Sequence, residues 1–366
     1  MALGSATQGR LSLDAPVSRA VKGLNPALGR VTLRQLLSHT AGMREASPSV
    51  VSRDDEALGR MVRGWKADYL FAPPGDVFSY SGPGYWLAGY VLESVHGQPY
   101  AELVRTRLFL PLGMARSTLR PLEALTYDFA QGHEEAGGKL GVVRPMAENT
   151  AMYPAGSVFS SARELARLAT VLLAGGRDGE RQLLAEQSVR QLFSAHVALP
   201  GTDEARYGFG LVELKVGALT AYEHGGVRRG YGSHLRFLPR PRGAVILLTN
   251  RNGATLRRSL DLITRTVWNL PEEPEQTPPA LPLTASDAKR YTGTYAHADL
   301  ARFTVRWQGG QLRVVSGEAD QVLERVGEHL FRTKEGGEYA FVVKPGAPRA
   351  RYLHTDLLTA ARVGAP

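Results

Sequence analysis

YGFGLVELKVGALTAYEHGGVRRGYGSHLRFLPRPRGAVILLT, residues 207–249, is the stretch in which the hydrophobic period drops from helical to twofold. Apolar and polar residues alternate through 207–214, 218–223, 232–238 and 244–249, the spacing of half-buried strands. The residues between, 215–217, 225–230 and 239–243, are rich in Gly, Pro and Lys or Arg, so the four runs are expected to form an antiparallel meander. Residues 256–268 return to helical spacing and are expected to cover one face of that sheet.

Upstream the pattern is helical throughout. Leu11-Ser12-Leu13-Asp14-Ala15-Pro16 reads as the exit from a helix whose tail is Met1-Ala2-Leu3. Thr32 can cap a helix carrying Leu33, Leu36 and Leu37, which Ser38-His39-Thr40-Ala41-Gly42 ends; another is expected over 54–65. Phe78-Ser79-Tyr80-Ser81-Gly82-Pro83-Gly84-Tyr85 opens a longer one. There Ser81 can accept a backbone N–H, Pro83 forfeits an N–H that would be orphaned anyway, and Tyr85, Leu87, Ala88, Val91 and Leu92 supply the buried face. A short helix over 100–108 follows, and 120–155 show no period and read as an irregular loop region suited to substrate contacts. Ser161-Ala162-Arg163-Glu164 is a capping box that starts a helix ending at Gly175-Gly176, and a second helix is expected over 184–193. Helices first, antiparallel strands next and a helix last predict an α/β fold with one antiparallel sheet.

Residues 271–282 hold five prolines and several acids and read as a linker. Beyond it, 291–295, 303–307, 311–315, 329–333, 339–343 and 351–354 are short strands at regular spacing, with Gly309-Gly310 and Gly336-Gly337 at hairpin turns. The expected organisation is a main domain over 1–270, a linker over 271–290 and a small antiparallel β-barrel-like domain over 291–366.

Composition narrows the chemistry. The formal net charge is +9 over 366 residues, but basic residues are interleaved with acids, as in Arg163-Glu164 and Glu324-Arg325. A solvated basic surface follows, with no stripe or module for nucleic acid. The absence of cysteine excludes disulfides and thiolate chemistry. No apolar run reaches the roughly 18 residues of a membrane-spanning helix. Met1–Thr7 has no basic and apolar signal pattern, so the chain as given reads as cytoplasmic; periplasm or exterior stays open if the true start lies upstream. There is no His-Glu-x-x-His helix, no Gly-x-Ser-x-Gly elbow, no phosphate loop and no dinucleotide fingerprint, so no cofactor or metal is expected.

Three features could carry chemistry. Tyr80 stands one residue ahead of a helix N-terminus, where a phenolate would be favoured by the macrodipole; an anchored packing tyrosine is the plainer alternative. His39 reads as a hydrogen-bonded loop residue, since no second His or carboxylate stands at metal-ligand spacing. Glu223-His224-Gly225-Gly226-Val227 closes a strand with two glycines that leave backbone bare for a ligand, although a plain hairpin turn has the same pattern.

Taken in order and spacing, seven segments resemble one family over about residues 1–270. Gly9-Arg10-Leu11-Ser12-Leu13-Asp14, Thr32 through Gly42, Tyr80-Ser81, Pro111-Leu112-Gly113-Met114, Pro154-Ala155-Gly156 through Ala166, His224-Gly225-Gly226 and Leu248-Thr249-Asn250 look like the β-lactamase-related serine hydrolases. This family includes class C β-lactamases, penicillin-binding carboxypeptidases, D-aminopeptidases and some esterases. The resemblance implies a β-lactamase/transpeptidase-like sheet flanked by helices, and the last domain looks like the lipocalin-like β-domain that some members append. It implies acyl-enzyme hydrolysis of small amide, peptide or ester substrates, with Tyr80 as the proton-transfer phenol, His224-Gly225-Gly226 as the strand lining the oxyanion site and the Val227 N–H as its donor. Two departures stand against it. Gly82 replaces the asparagine of the family's Tyr-x-Asn, and the family's nucleophilic Ser-x-x-Lys would fall ahead of Met1. The sheet is therefore expected to be N-terminally incomplete, and residues 1–366 to be inactive or nearly so, either as an incomplete hydrolase or as a non-catalytic binding module. Ser286-Asp287-Ala288-Lys289 is the one Ser-x-x-Lys within the chain, in the linker, and reads as a chance match.

Overall fold

The computed structural model describes residues 1–144, 148–202, 204–251, 256–272, 278–298 and 301–364. The helical half is built from α1 (Ala2–Thr7), α2 (Leu33–Leu37), α3 (Ala57–Arg63), α4 (Gly82–His96) and α5 (Tyr100–Val104). Thr32 and Gln35 form a reciprocal capping box on α2. Trp86, Leu87, Ala88 and Val91 of α4 lie at the centre of the main core, against Leu33 and Leu36 of α2 and Leu58, Met61 and Val62 of α3. A Cβ at Gly89 would come within 2.2 Å of Pro154 Cγ, so a side chain there would push away the 3₁₀ turn Thr150–Ala155 that packs on α4.

The region 120–155, expected to be irregular, carries structure. A short helix, Pro121–Ala124, and a hairpin of β1 (His133–Ala136) and β2 (Lys139–Val142) precede that turn. Four-residue strands alternating little in polarity give no readable period, which is why the sequence hides them.

After α6 (Ala162–Leu173) and α7 (Glu186–Leu192) comes a six-stranded antiparallel sheet in the order β8-β7-β6-β5-β4-β3. Its strands are β3 (Val197–Ala198), β4 (Arg206–Tyr207), β5 (Val212–Val216), β6 (Leu219–Arg228), β7 (Tyr231–Leu238) and β8 (Gly243–Thr249). The expected run 207–214 is broken into β4 and β5 by a bend at Gly210, whose φ is +91°. The larger correction concerns 225–230: β6 runs through both glycines to Arg228, paired to β7 in unbroken register from Tyr222 with Phe237 to Arg228 with Tyr231. The turn is Arg229-Gly230 alone, so His224-Gly225-Gly226 lies inside a strand and not at its end. Successive residues of β7 serve opposite faces: Leu235 and Phe237 pack beneath α6, while Arg236 and Leu238 face α8 (Leu256–Val267) and the residues after it. The α/β fold with one principal antiparallel sheet between helices is the observed one.

Beyond a short helix, α9 (Ala285–Ala288), the chain closes an eight-stranded antiparallel barrel. It comprises β9 (Gly293–His297), β10 (Ala301–Gln308), β11 (Gln311–Ser316), β12 (Ala319–Arg325), β13 (Leu330–Arg332), β14 (Glu338–Val342), β15 (Tyr352–Thr355) and β16 (Leu358–Val363). The sequence shows six of these; β12 and β16 mix polar and small residues and escape the alternation rule. Part of the expected linker, residues 273–277, lies outside the described residues. Tyr291, Tyr295, Phe331 and Phe341 fill the barrel interior in edge and tilted contacts. Among the described residues no helix is long and apolar enough to cross a membrane.

The barrel sits on the segment leading into α4. Asp76 receives Lys344 at 2.8 Å, Arg351 at 3.3 Å and the Tyr352 hydroxyl at 2.5 Å. Thr359 N–H donates to Ser79 Oγ, the Thr359 hydroxyl to Phe78 O, and Tyr80 N–H to Leu357 O at 2.8 Å. The hairpin between β15 and β16 therefore fixes the backbone of residues 78–80.

Candidate active site

Tyr80 and His224 come together although they are far apart in sequence. Their ring centroids lie 6.1 Å apart, and His39 lies under Tyr80 at 4.2 Å. Tyr207 and Tyr85 complete the cluster, each about 5 Å from His39 as ring centroids. His39 is buried, and its two nitrogens are both used: Nδ1 accepts the Ser81 N–H at 3.1 Å, and Nε2 stands 3.1 Å from the Tyr207 hydroxyl. Since the backbone can only donate to Nδ1, the proton of the neutral ring is on Nε2, which donates to Tyr207. Tyr207 in turn bonds Tyr85, and Tyr85 donates to Leu37 O at 2.9 Å. Three side chains thus form a directed hydrogen-bond chain beneath Tyr80. The reading of His39 as a hydrogen-bonded loop residue agrees with this geometry; the sequence gives no hint that it is the floor of the cluster.

Tyr80 itself is half-buried, and among the described residues nothing hydrogen-bonds its hydroxyl. Burial, seconded by the Glu45 carboxylate, raises its pKa. The helix end does not favour a phenolate here, because its donors are already engaged. Ser81 N–H goes to His39, Gly82 N–H to Glu45 Oε2 at 2.5 Å, and Gly84 N–H to the capping Ser81 Oγ. Tyr80 is therefore held as a proton-bearing phenol.

On the strand side, β5 pairs with β6 only as far as Val212 opposite Glu223. From His224 to Arg228, β6 has β7 on one side and, among the described residues, no strand on the other, so alternate backbone groups face an open edge beside Tyr80. Val227, the expected oxyanion donor, is in this unpaired stretch and is 77 % exposed, open to a ligand. His224 Nδ1 donates to Gly225 O at 2.6 Å, which leaves Nε2 as the acceptor of a neutral ring. Burial lowers the His224 pKa, so the neutral form is the favoured one. Behind it, Arg236 is fully buried and pairs with Glu223 at 2.5 Å and Asp261 at 2.7 Å, tying β6 and β7 to α8.

Ser286 and Lys289 are both exposed, on and just after the four-residue α9 at the barrel entrance. Ser286 is not part of the Tyr80 cluster. The Glu45 contact was missed by sequence reasoning altogether: Glu45 follows a loop motif and has no spacing relation to Tyr80. Among the described residues no group of three or more His, Asp and Glu could hold a metal ion.

The family model described as Beta-lactamase matches residues 1–267. This chain belongs to the β-lactamase family. Among its relatives is penicillin-binding protein 4 of Amycolatopsis lactamdurans, 31% identical over 260 residues that make up 68% of each chain. The D-aminopeptidase of Gluconobacter oxydans is 26% identical over 312 residues, 82% of this chain and 55% of that protein, so the chain spans only about half of the latter. The solved structure of SurE superposes with a TM-score of 0.78 at 26% identity, covering 99% of this chain and 84% of the other. The octameric penicillin-binding protein homologue from Pyrococcus abyssi shares the fold, with a TM-score of 0.65 at 20% identity and 99% and 85% coverage. Both superpositions span the sheet domain and the barrel. Membership sets the chain among β-lactamase-like and penicillin-binding-like hydrolases.

Proposed function

We propose that this β-lactamase-family chain carries the proton-transfer and oxyanion side of a serine-hydrolase site that acts on amide or ester bonds, of the β-lactam, D-amino-acid peptide or simple ester kind. The observation that supports this most directly is the half-buried Tyr80, whose hydroxyl has no hydrogen-bond partner among the described residues, beside the neutral His224 on a strand edge open on one side. A phenol kept protonated by burial can give its proton to a leaving nitrogen or oxygen, and the adjacent imidazole acceptor can polarise or relay it. Backbone N–H groups of residues 224–228 that face the open edge are suited to an oxyanion, with Val227 as the assigned donor. The barrel, of the lipocalin-like kind, serves as a wall of the cleft. Small amide, peptide or ester substrates are the partners.

Among the described residues no serine and lysine side chains are paired beside the Tyr80 ring. Purified residues 1–366 are therefore expected to form no covalent adduct with a fluorescent penicillin or a fluorophosphonate. Grafting the Ser-x-x-Lys helix of a family relative ahead of α1 is expected to confer turnover of a chromogenic ester. Tyr80→Phe in that graft should then lower kcat by about 100-fold or more. Turnover that ignores Tyr80→Phe would remove Tyr80 from the mechanism.

A second reading is a binding module of the same fold that holds such ligands without a covalent step. It is favoured by Gly82 standing where the family has its asparagine. A covalent adduct on residues 1–366 refutes it.

A further inference from the structure

The space beside Gly82 is occupied by a side chain from another loop. A Cβ at Gly82 would lie 3.1 Å from Glu45 Oε1, 3.5 Å from Oε2 and 3.7 Å from Cδ. Gly82 does not adopt a positive φ, so its backbone has no need of glycine. What crowds a side chain there is the Glu45 carboxylate, which would have to give by a few tenths of an ångström.

That carboxylate is built in. Oε2 accepts the Gly82 N–H at 2.5 Å and Oε1 the Ala46 N–H at 3.2 Å. The preceding Arg44 O accepts the Ser81 hydroxyl at 3.0 Å, so the loop is fastened twice to the start of α4. From the barrel, His297 Nε2 accepts the Glu45 N–H at 2.9 Å, while His297 Nδ1 donates to Thr359 O at 2.7 Å. Among the described residues no Lys, Arg or His pairs with the Glu45 carboxylate within ion-pair distance. Its charge is met by the first N–H of a fifteen-residue helix.

We propose that Glu45 is the positioning residue of the Tyr80 site, its carboxylate supplying from a neighbouring loop the polar group that Gly82 cannot, and holding the start of α4 beneath the phenol. The catalytic meaning rests on the reading of Tyr80 given above; the pairing of positions 45 and 82 stands on geometry alone. Titratable groups facing Tyr80 among the described residues are His39 from the loop after α2, Tyr85 on α4, Tyr207 on β4, His224 on β6 and Glu45; from the barrel the Leu357 carbonyl accepts its N–H. Glu45 is the acid of this set, and its charge adds to burial, the larger cause, in making loss of the Tyr80 proton harder.

Two measurements on the full chain test this. In a double-mutant cycle read by denaturant unfolding, Gly82→Asn should shift the folding equilibrium about tenfold toward the unfolded state when Glu45 is present, and about twofold or less in the Glu45→Ala background. Equal losses in both backgrounds would overturn the pairing. In tyrosine-labelled NMR titrations, with Tyr80→Phe to assign the resonance, Glu45→Gln should keep the fold and lower the Tyr80 midpoint by roughly 0.5–1 pH unit. An unmoved midpoint would overturn the positioning role, even if Gly82→Asn failed to fold. Failure of the Tyr80→Phe kinetics would sink the catalytic reading and leave both of these results standing.

Discussion

His39 lies under Tyr80 with φ at 55°, in the left-handed region that asparagine tolerates better than most residues. Burial, and after it the neighbouring His224, pushes its pKa down to about 3. An unfolded histidine titrates near 6.5, so between about 3 and 6.5 the unfolded chain binds the extra proton. The contribution to stability is complete above pH 6.5 and is lost as pH falls, at up to about 1.4 kcal/mol per pH unit. Replacing His39→Asn should lower stability at neutral pH and flatten the pH dependence by one proton over about pH 4–6. Urea unfolding of both proteins across that range checks it, and parallel slopes would show that His39 does not hold its neutral form. The residue types at this site were legible: Tyr80 and His224 stand out as motifs. The floor and the support were not, because His39, Tyr85, Tyr207 and Glu45 meet through tertiary closure that leaves no local period.

At the scale of elements, the period change at residue 207 was enough to find the sheet and the helices around it. It failed where glycine carried two meanings. Gly225-Gly226 reads as a turn by composition, yet β7 continues the ladder past it, and register, which is a property of two strands, decides. The buried group behind that ladder sets its stability. Burial alone would raise the Glu223 pKa, but the His234 ring, 3.4 Å from the carboxylate, and the charge of Arg236 outweigh it and leave the carboxyl below its usual range. Arg236→Leu strands Glu223 in the interior and is expected to cost about 3–5 kcal/mol, seen in denaturant melts. A loss under about 1 kcal/mol would mean that the network is replaceable by packing. Because β6 is one of the two strands it joins, the same variant should also loosen His224, visible as faster amide exchange over β6.

At the scale of the whole molecule, the barrel and the sheet domain meet at residues 76–80. Asp76 is pushed up by burial, yet Lys344 and Tyr352 more than offset this and hold its pKa below the normal carboxylate value. The docking contribution is therefore present above about pH 4 and is lost as Asp76 protonates at lower pH. Asp76→Asn should remove about 2 kcal/mol at pH 7 and raise amide exchange at residues 78–80, while a barrel strand such as β11 keeps its protection. Loss of protection in β11 as well would mean that the two parts unfold together. The strands of the barrel were largely legible after the proline-rich stretch, but not that the barrel meets the residues before α4: the partners are 268 to 281 residues apart, and no local signal spans such a distance.

The Tyr80 N–H to Leu357 O bond also orders events during synthesis. A ribosome delivers residue 80 long before residue 357, so the backbone at Tyr80 is not final until the hairpin of β15 and β16 emerges and the barrel closes. Long-range closure is slow relative to local helix formation. The growing polypeptide is therefore held in an open form at Tyr80 until residue 357 is made, and any activity of this site begins only after the hairpin of β15 and β16 has left the exit tunnel.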